Sequence, residues 1–274
     1  MIKRKISIIG LGLIGGSIGL ALKNIGRFFV TGFDTDPKTQ NLALKMGAID
    51  HKSDNLKDCV QDSEVVFVAT PISETLNTLK KIEPFLKSVA IVSDVASVKT
   101  KIVQSCPPNI TFIGGHPMAG KETTGIGGAQ KDLFVNKKWI LTSRNRALEQ
   151  IISLLGAKST IMNAKSHDQS VATISHLPFI VSNVLFSSAS NNKKCLDIAA
   201  GGFRDVTRLA SGNPTLHTDI VMANKVNILK QLDLFVLELN RIRNLIEQRD
   251  KNIIKKFFTY NKIKRDKWLE GAKL

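Results

Sequence analysis

The sequence predicts an α/β chain in which a doubly wound, mostly parallel sheet over residues 1–163 is followed by an all-helical domain over residues 164–274. Three observations carry this expectation. Short β-rich runs alternate with helical stretches up to about Ile161. Runs such as Val65-Val-Phe-Val-Ala69 are apolar without alternation, as strands covered on both faces are. Beyond Ser166 no strand pattern recurs, only helical periodicity.

In chain order the expected strands are 6–9, 29–33, 65–69, 90–93, 111–113, 138–142 and 158–161, with helices over 73–86 and 146–155 among those between them. In the second half, Leu229, Leu232, Val236, Leu239, Ile242 and Ile246 step by three or four and trace one apolar stripe on a long helix, a bundle core or a dimer seam. The polar stretch 187–194 reads as a loop between helices.

Composition bounds the function classes. A chain of 274 residues, 43% hydrophobic and 23% charged, has ample material for a core. Its cysteines (Cys59, Cys106, Cys195) are scattered and odd in number, which fits the reducing cytoplasm and neither a disulfide framework nor a cysteine metal site. The basic start and the apolar run 6–22 imitate a signal peptide, but five glycines interrupt the run, so no targeting or membrane segment is expected. The net charge of +16 raises nucleic-acid binding, and eleven Lys/Arg against four Asp/Glu crowd residues 241–274. No nucleic-acid motif accompanies them, and the tail reads as a solvated helical surface.

Gly10-Leu-Gly12-Leu-Ile-Gly15 directly follows the first strand and opens a helix, the context that gives this fingerprint its weight. Gly10 permits the turn, Gly12 lets the backbone approach a pyrophosphate, and Gly15 lets the helix pack closely; Leu13 and Ile14 lie on the same turn. Asp34, nineteen residues after Gly15, ends the second strand where a carboxylate would accept hydrogen bonds from a ribose. With Asp36 it would repel a 2′-phosphate, so the expected cofactor of this Rossmann-like domain is NAD rather than NADP. Ligands in such sheets sit beyond the carboxyl ends of the strands. Thr70-Pro71, the stretch Asp94-Val-Ala-Ser97-Val-Lys99 and the stretch Gly114-Gly-His116-Pro-Met-Ala-Gly120 all fall there.

Together with Ser175-His-Leu-Pro178 and Gly202-Phe-Arg-Asp-Val-Thr-Arg208, these segments resemble, in order and spacing, the prephenate/arogenate dehydrogenases over nearly the whole chain. The resemblance implies a helical domain that forms a homodimer and a substrate, prephenate or arogenate, that is oxidised and decarboxylated toward tyrosine. It matches His116 to the catalytic histidine and Ser97 to the serine that orients the imidazole or the substrate hydroxyl. Arg208 matches a carboxylate-binding arginine; Arg204 supports the anionic pocket, and Glu122 lines its entrance. His176 is expected to face the pocket, whereas His167-Asp168 is expected to be structural or interdomain. Phe179 stands where prephenate-using relatives often carry a second histidine, which tilts the reading toward arogenate, and His217 stands where many relatives have tryptophan. No HxxxH or carboxylate spacing joins the histidines, so no metal is expected. No mutase-like extension or regulatory domain is expected, so feedback inhibition by tyrosine would act at the active site.

Two rivals remain. A β-hydroxyacid dehydrogenase would share the architecture, but would typically use a lysine on a helix of the second domain, for which no equivalent is seen. A nucleotide-sensing or nucleic-acid-binding protein would explain the basic tail, but not the ordered histidine, serine and arginine motifs.

Overall fold

The computed structural model describes residues 3–121 and 123–272. The first half contains β1 (Arg4–Ile9), α1 (Leu13–Ile25), β2 (Phe28–Phe33), α2 (Pro37–Lys45), β3 (His51–Lys52), α3 (Leu56–Val60), β4 (Val65–Val68), α4 (Ile72–Ile82), β5 (Ile91–Asp94), α5 (Thr100–Ser105) and β6 (Thr111–Phe112). The six strands pair in parallel in the order β3-β2-β1-β4-β5-β6. The order reverses between β1 and β4, and that reversal opens the crevice of a dinucleotide-binding sheet.

The apolar runs explain why the sheet is sandwiched. All four residues of β4 are buried. Val65 and Phe67 join Ile18 and Leu22 of α1 in one cluster, while Val66 and Val68 join Leu79 and Ile82 of α4 in another. Each face of the strand therefore has its own helix layer.

A second sheet follows, built from β7 (Gly115–Pro117), β8 (Lys138–Leu141) and β9 (Lys158–Ile161), with α6 (Arg146–Leu154) between the last two. The β7–β8 pair is antiparallel and the β8–β9 pair parallel, so the later strands leave the main sheet instead of extending it.

The remainder is helical: α7 (Ala164–Val171), a π-helical turn (Ala172–His176), α8 (Leu177–Ser190), α9 (Lys193–Asp197), α10 (Gly201–Thr207), α11 (Pro214–Ala223), α12 (Lys225–Glu247) and α13 (Lys251–Ala272). Asn163 caps α7 by accepting from the Ser166 amide at 2.9 Å. The stretch 187–194 is not the expected loop: α8 persists to Ser190 and α9 starts at Lys193, leaving a break of two asparagines. Ser188 and Ser190 stay helical by donating back to the carbonyls of Val184 and Ser187.

The chain divides into two compact units, one ending at Lys225 and the other starting at Val226. The change from strands to helices near residue 163 is therefore not the edge of the first unit. Helices α7 and α11 pack onto the first half, because Asp168 binds the amides of Lys99 and Thr100 and Asp219 accepts from Ser73 at 3.0 Å. The continuous helix Ala164–Ser190 is long and apolar enough to cross a membrane; yet His167, Asp168 and His176 on it are buried. In the second unit, α12 carries the anticipated stripe, with Leu229, Val236, Leu239 and Ile246 exposed.

Candidate active site

The cradle at the end of β1 is shaped by what a side chain would hit. Gly10 has φ +89°, and a Cβ there would lie 2.5 Å from the Ala69 carbonyl oxygen; one on Gly15 would lie 1.9 Å from that of Gly10. Gly12, the N-cap of α1, has nothing within 4 Å of its Cβ position. That open space before the unpaired amides of a helix start fits an anionic pyrophosphate. Leu13 and Ile14 are half-buried on the first turn, and Thr70-Pro71 leads from β4 into α4.

The two acidic residues after β2 have different duties. Asp34 accepts from the Leu11 amide at 2.7 Å and from the Asp36 amide at 3.0 Å, bracing the glycine loop. Asp36 caps α2, accepting from the amides of Lys38 and Thr39.

Asp94, read from the sequence as a cofactor-binding residue, is fully buried, and its carboxylate is engaged within the protein. It pairs with the equally buried Lys99 ammonium and accepts from the amides of Ala96 at 3.1 Å and Gly115 at 3.0 Å. Burial holds the Lys99 amine below its ordinary range, opposed by Asp94. The turn so built carries Ser97, half-buried, and ties the end of β5 to the start of β7.

His116 lies in β7, opposite Ile140 of β8, rather than on a glycine-rich turn. It is 9% exposed. Its Nδ1 lies 2.9 Å from Nε2 of His167, whose Nδ1 lies 2.8 Å from Oδ1 of Asp168. The Asp168 carboxylate also accepts from the amides of Lys99 at 2.7 Å and Thr100 at 2.8 Å. Burial would raise its pKa, but the bonds from His167, Thr100 and Lys99 prevail and hold it below the usual carboxylate range.

These contacts dictate the tautomers. An ionised carboxylate only accepts, so His167 donates from Nδ1; its Nε2 then accepts from His116 Nδ1–H. The lone pair of His116 is left on Nε2. Burial, then His167, Lys99 and His176, push the His116 pKa well below 6.5 against the pull of Asp168, so the ring is a neutral acceptor at physiological pH. The partner that holds the imidazole Nδ1 is thus His167, not Ser97. Within the first compact unit the His-Asp dyad joins α7 to the start of α5, and it also reaches the imidazole. Sequence reasoning missed that second role because the partners are 51 residues apart.

His176 is reached through Asn224, whose amide donates to the Asp168 carbonyl at 2.8 Å and to His176 Nδ1 at 3.2 Å. His176 therefore carries its proton on Nε2, a fully buried atom with no hydrogen-bond partner among the described residues. Burial lowers its pKa to about 4. Phe179 stacks on His217 with ring centroids 3.5 Å apart and planes 8° from parallel. Arg208 is exposed on the 3-10 turn Arg208–Ser211, which Ser182 fixes by accepting from the Ala210 amide at 3.0 Å. Arg204 is exposed, 4.0 Å from its neighbour Asp205. Glu122 lies outside the described residues. Among the described residues, no group of three His, Cys, Asp or Glu is arranged to hold a metal ion.

The family model for the nucleotide-binding domain of prephenate dehydrogenase matches residues 18–163, and that for its dimerization domain matches residues 163–260. The prephenate dehydrogenase of Bacillus subtilis is 36% identical, over 96% of this chain and 76% of its own length. This chain belongs to the prephenate/arogenate dehydrogenase family. The crystal structure of Synechocystis arogenate dehydrogenase superposes with a TM-score of 0.85 at 34% identity, covering 97% of this chain and all of that one. A prephenate dehydrogenase from A. aeolicus, solved in complex with hydroxyphenyl propionate and NAD+, superposes with a TM-score of 0.90 at 27% identity over 97% of this chain and 99% of that one. Salmonella typhimurium 3-hydroxyisobutyrate dehydrogenase, at 12% identity and a TM-score of 0.57, shares only the fold with this family member.

Proposed function

We propose that this chain is an NAD-dependent prephenate/arogenate dehydrogenase of tyrosine biosynthesis, with His116 Nε2 as the base. The observation that carries the assignment is the neutral, buried imidazole whose Nδ1 is engaged and whose Nε2 lone pair is left to meet a substrate hydroxyl. Bound NAD+ supplies the hydride acceptor. The amides at the start of α1 would hold its pyrophosphate, and Asp34 would accept from its adenosine ribose. Leu13, Ile14, Thr70 and Pro71 line the same cradle.

His116 Nε2 takes the proton of the ring hydroxyl as the hydroxyl-bearing carbon loses hydride. The carbonyl so formed draws in the electrons of the departing carboxylate, and the ring becomes aromatic. Arg208 grips the side-chain carboxylate through its two-pronged guanidinium, with Arg204 adding positive potential. Holding the departing carboxylate instead would stabilise the ground state and slow the reaction. The unpartnered Nε2–H of His176 donates to a substrate oxygen, recovering an unmet hydrogen bond worth about 1–3 kcal/mol. Ser97 meets the substrate hydroxyl.

Arogenate is the favoured substrate. Phe179, backed face to face by His217, offers an apolar wall where a polar partner for a keto group would otherwise stand. The enzyme works as a homodimer through its helical domain, in a cytoplasmic setting that suits three unpaired cysteines. Parallel assays of reduced-cofactor absorbance with NAD+ and NADP+, each with prephenate and arogenate, test the proposal. Turnover is expected with NAD+ and a preference for arogenate; silence in all four, from folded protein that binds NAD+, overturns it.

A further inference from the structure

We infer that His167 and Asp168 are positioning residues that also hold the substrate's proton during decarboxylation, so that His116, His167 and Asp168 form a closed, reversible proton store. This rests on the reading of His116 as the base.

The proton balance of the reaction suits a store in place of an exit. The substrate loses a hydride to NAD+ and a molecule of CO₂, and its ring oxygen ends, as it began, bearing one hydrogen. A proton borrowed from the hydroxyl and held nearby can therefore return to the same oxygen. A chain open to water would let it exchange; a chain ending inside the protein keeps it at hand. His167 and Asp168 are 1% and 2% exposed, and the chain stops at a carboxylate pinned by two backbone amides.

Charge makes the same point. The groups around His116 are Lys99, His167, Asp168 and His176, with Asp94 paired to Lys99. With the histidines neutral, one ammonium faces two carboxylates, an excess of one negative charge. An incoming proton neutralises it. A proton kept on His116 would sit in a ring that burial, His167 and Lys99 all discourage from charging. On His167 it lies against the Asp168 carboxylate, at 2.8 Å.

The step balances as follows. The substrate O–H breaks as an N–H forms at His116 Nε2. In the same event the N–H at His116 Nδ1 breaks and one forms at His167 Nε2. His116 is then neutral again, with a donor on Nε2 aimed at the new carbonyl oxygen, where decarboxylation delivers electrons. When the ring aromatises, both transfers reverse and the oxygen regains its proton.

Three variants and one spectrum test this. His167→Gln keeps an acceptor for His116 Nδ1–H but cannot hold the proton. It is expected to lower kcat by about tenfold or more, a part of the usual acid–base contribution, with KM nearly unchanged. The dependence of its hydride-transfer rate on the deuterium fraction of the solvent becomes linear, where the wild type, moving two protons together, gives a curve. His167→Phe, which removes the acceptor as well, is expected to be slower still. In ¹⁵N NMR of the unmodified protein, with the His116 signals assigned by difference from His116→Asn, the proton lies on Nδ1.

A linear dependence in the wild type, or His167→Gln turning over at nearly the wild-type rate while His116→Asn does not, overturns the store and leaves His116 as the base. Should His167→Gln fail to fold, a bare Nδ1 on His116 in the spectrum overturns the store on its own. Full activity in His116→Asn sinks the underlying reading instead.

Discussion

At the scale of single residues, the site is a set of rings whose protons are assigned by their neighbours. His116→Asn removes the Nε2 acceptor and is expected to lower kcat by roughly 10²–10⁴-fold, with substrate affinity kept; single-turnover kinetics would check that the chemical step is what slows. The low pKa of His116 gives this activity a direction with pH. The base is competent when deprotonated, so kcat/KM should stay level as pH falls from 8 through 6.5 and decline only in more acid solution. A decline centred near pH 6.5 in a chemistry-limited assay would contradict the buried, neutral ring. Phe179 sets a second test. Phe179→His restores a polar group on the wall stacked against His217 and is expected to shift the kcat/KM ratio toward prephenate by about tenfold, equivalent to about 1.4 kcal/mol, as read in the paired substrate assay.

At the scale of elements, the glycine loop separates two ways of failing. A methyl on Gly15 meets the Gly10 carbonyl at 1.9 Å, so Gly15→Ala must move α1 or the loop. It should cost on the order of 1–3 kcal/mol of stability and weaken NAD+ binding together. Gly12→Ala, with an ordinary φ of −69° and empty space around the new methyl, should melt like the wild type and still lose NAD+ affinity; thermal melts beside titration calorimetry would tell the two apart. The long elements were legible in sequence because their pattern is sustained: β4 is four buried residues in a row, and α12 repeats its stripe over about five turns. The short ones were not. β3 has two residues, both exposed, and β7 is Gly-His-Pro, whose pairing to β8 is dictated by partners 22 to 26 positions away. For the same reason the residue types of the site could be read while the bonds among His116, His167 and Asp168 could not. Local pattern carries no record of which distant side chains the fold will bring within 3 Å.

At the scale of the molecule, two histidines held neutral make the fold sensitive to acid. Burial lowers His176 to about 4 and His116 well below 6.5. Between pH 6.5 and about 4 the unfolded chain takes up protons that the native site refuses, so stability is full above 6.5 and declines as pH falls. Asp168, lowered in the fold, adds a further loss below its unfolded value of 3.8. Melting temperatures across this range should fall steeply in the wild type and less so in His176→Gln. The exposed apolar residues, Val184 and Phe186 on α8 and Leu229, Val236 and Leu239 on α12, call for a covering partner; light scattering is expected to find twice the chain mass at micromolar concentration and high salt, and a monomer there would contradict the dimer. The π-helical turn Ala172–His176 links these scales. His167 and His176 are nine positions apart, and at about 100° per residue a regular helix would send them to opposite sides. The additional residue wound into the π turn changes that phase, and on either side of it the Asp168 carbonyl and His176 Nδ1 accept from the same Asn224 amide. The turn thus behaves as a frameshift written in space: deleting one residue within it would respell everything downstream, rotating the Phe179 wall and the apolar α8 surface by the same angle, so that chemistry and assembly would be lost in a single stroke.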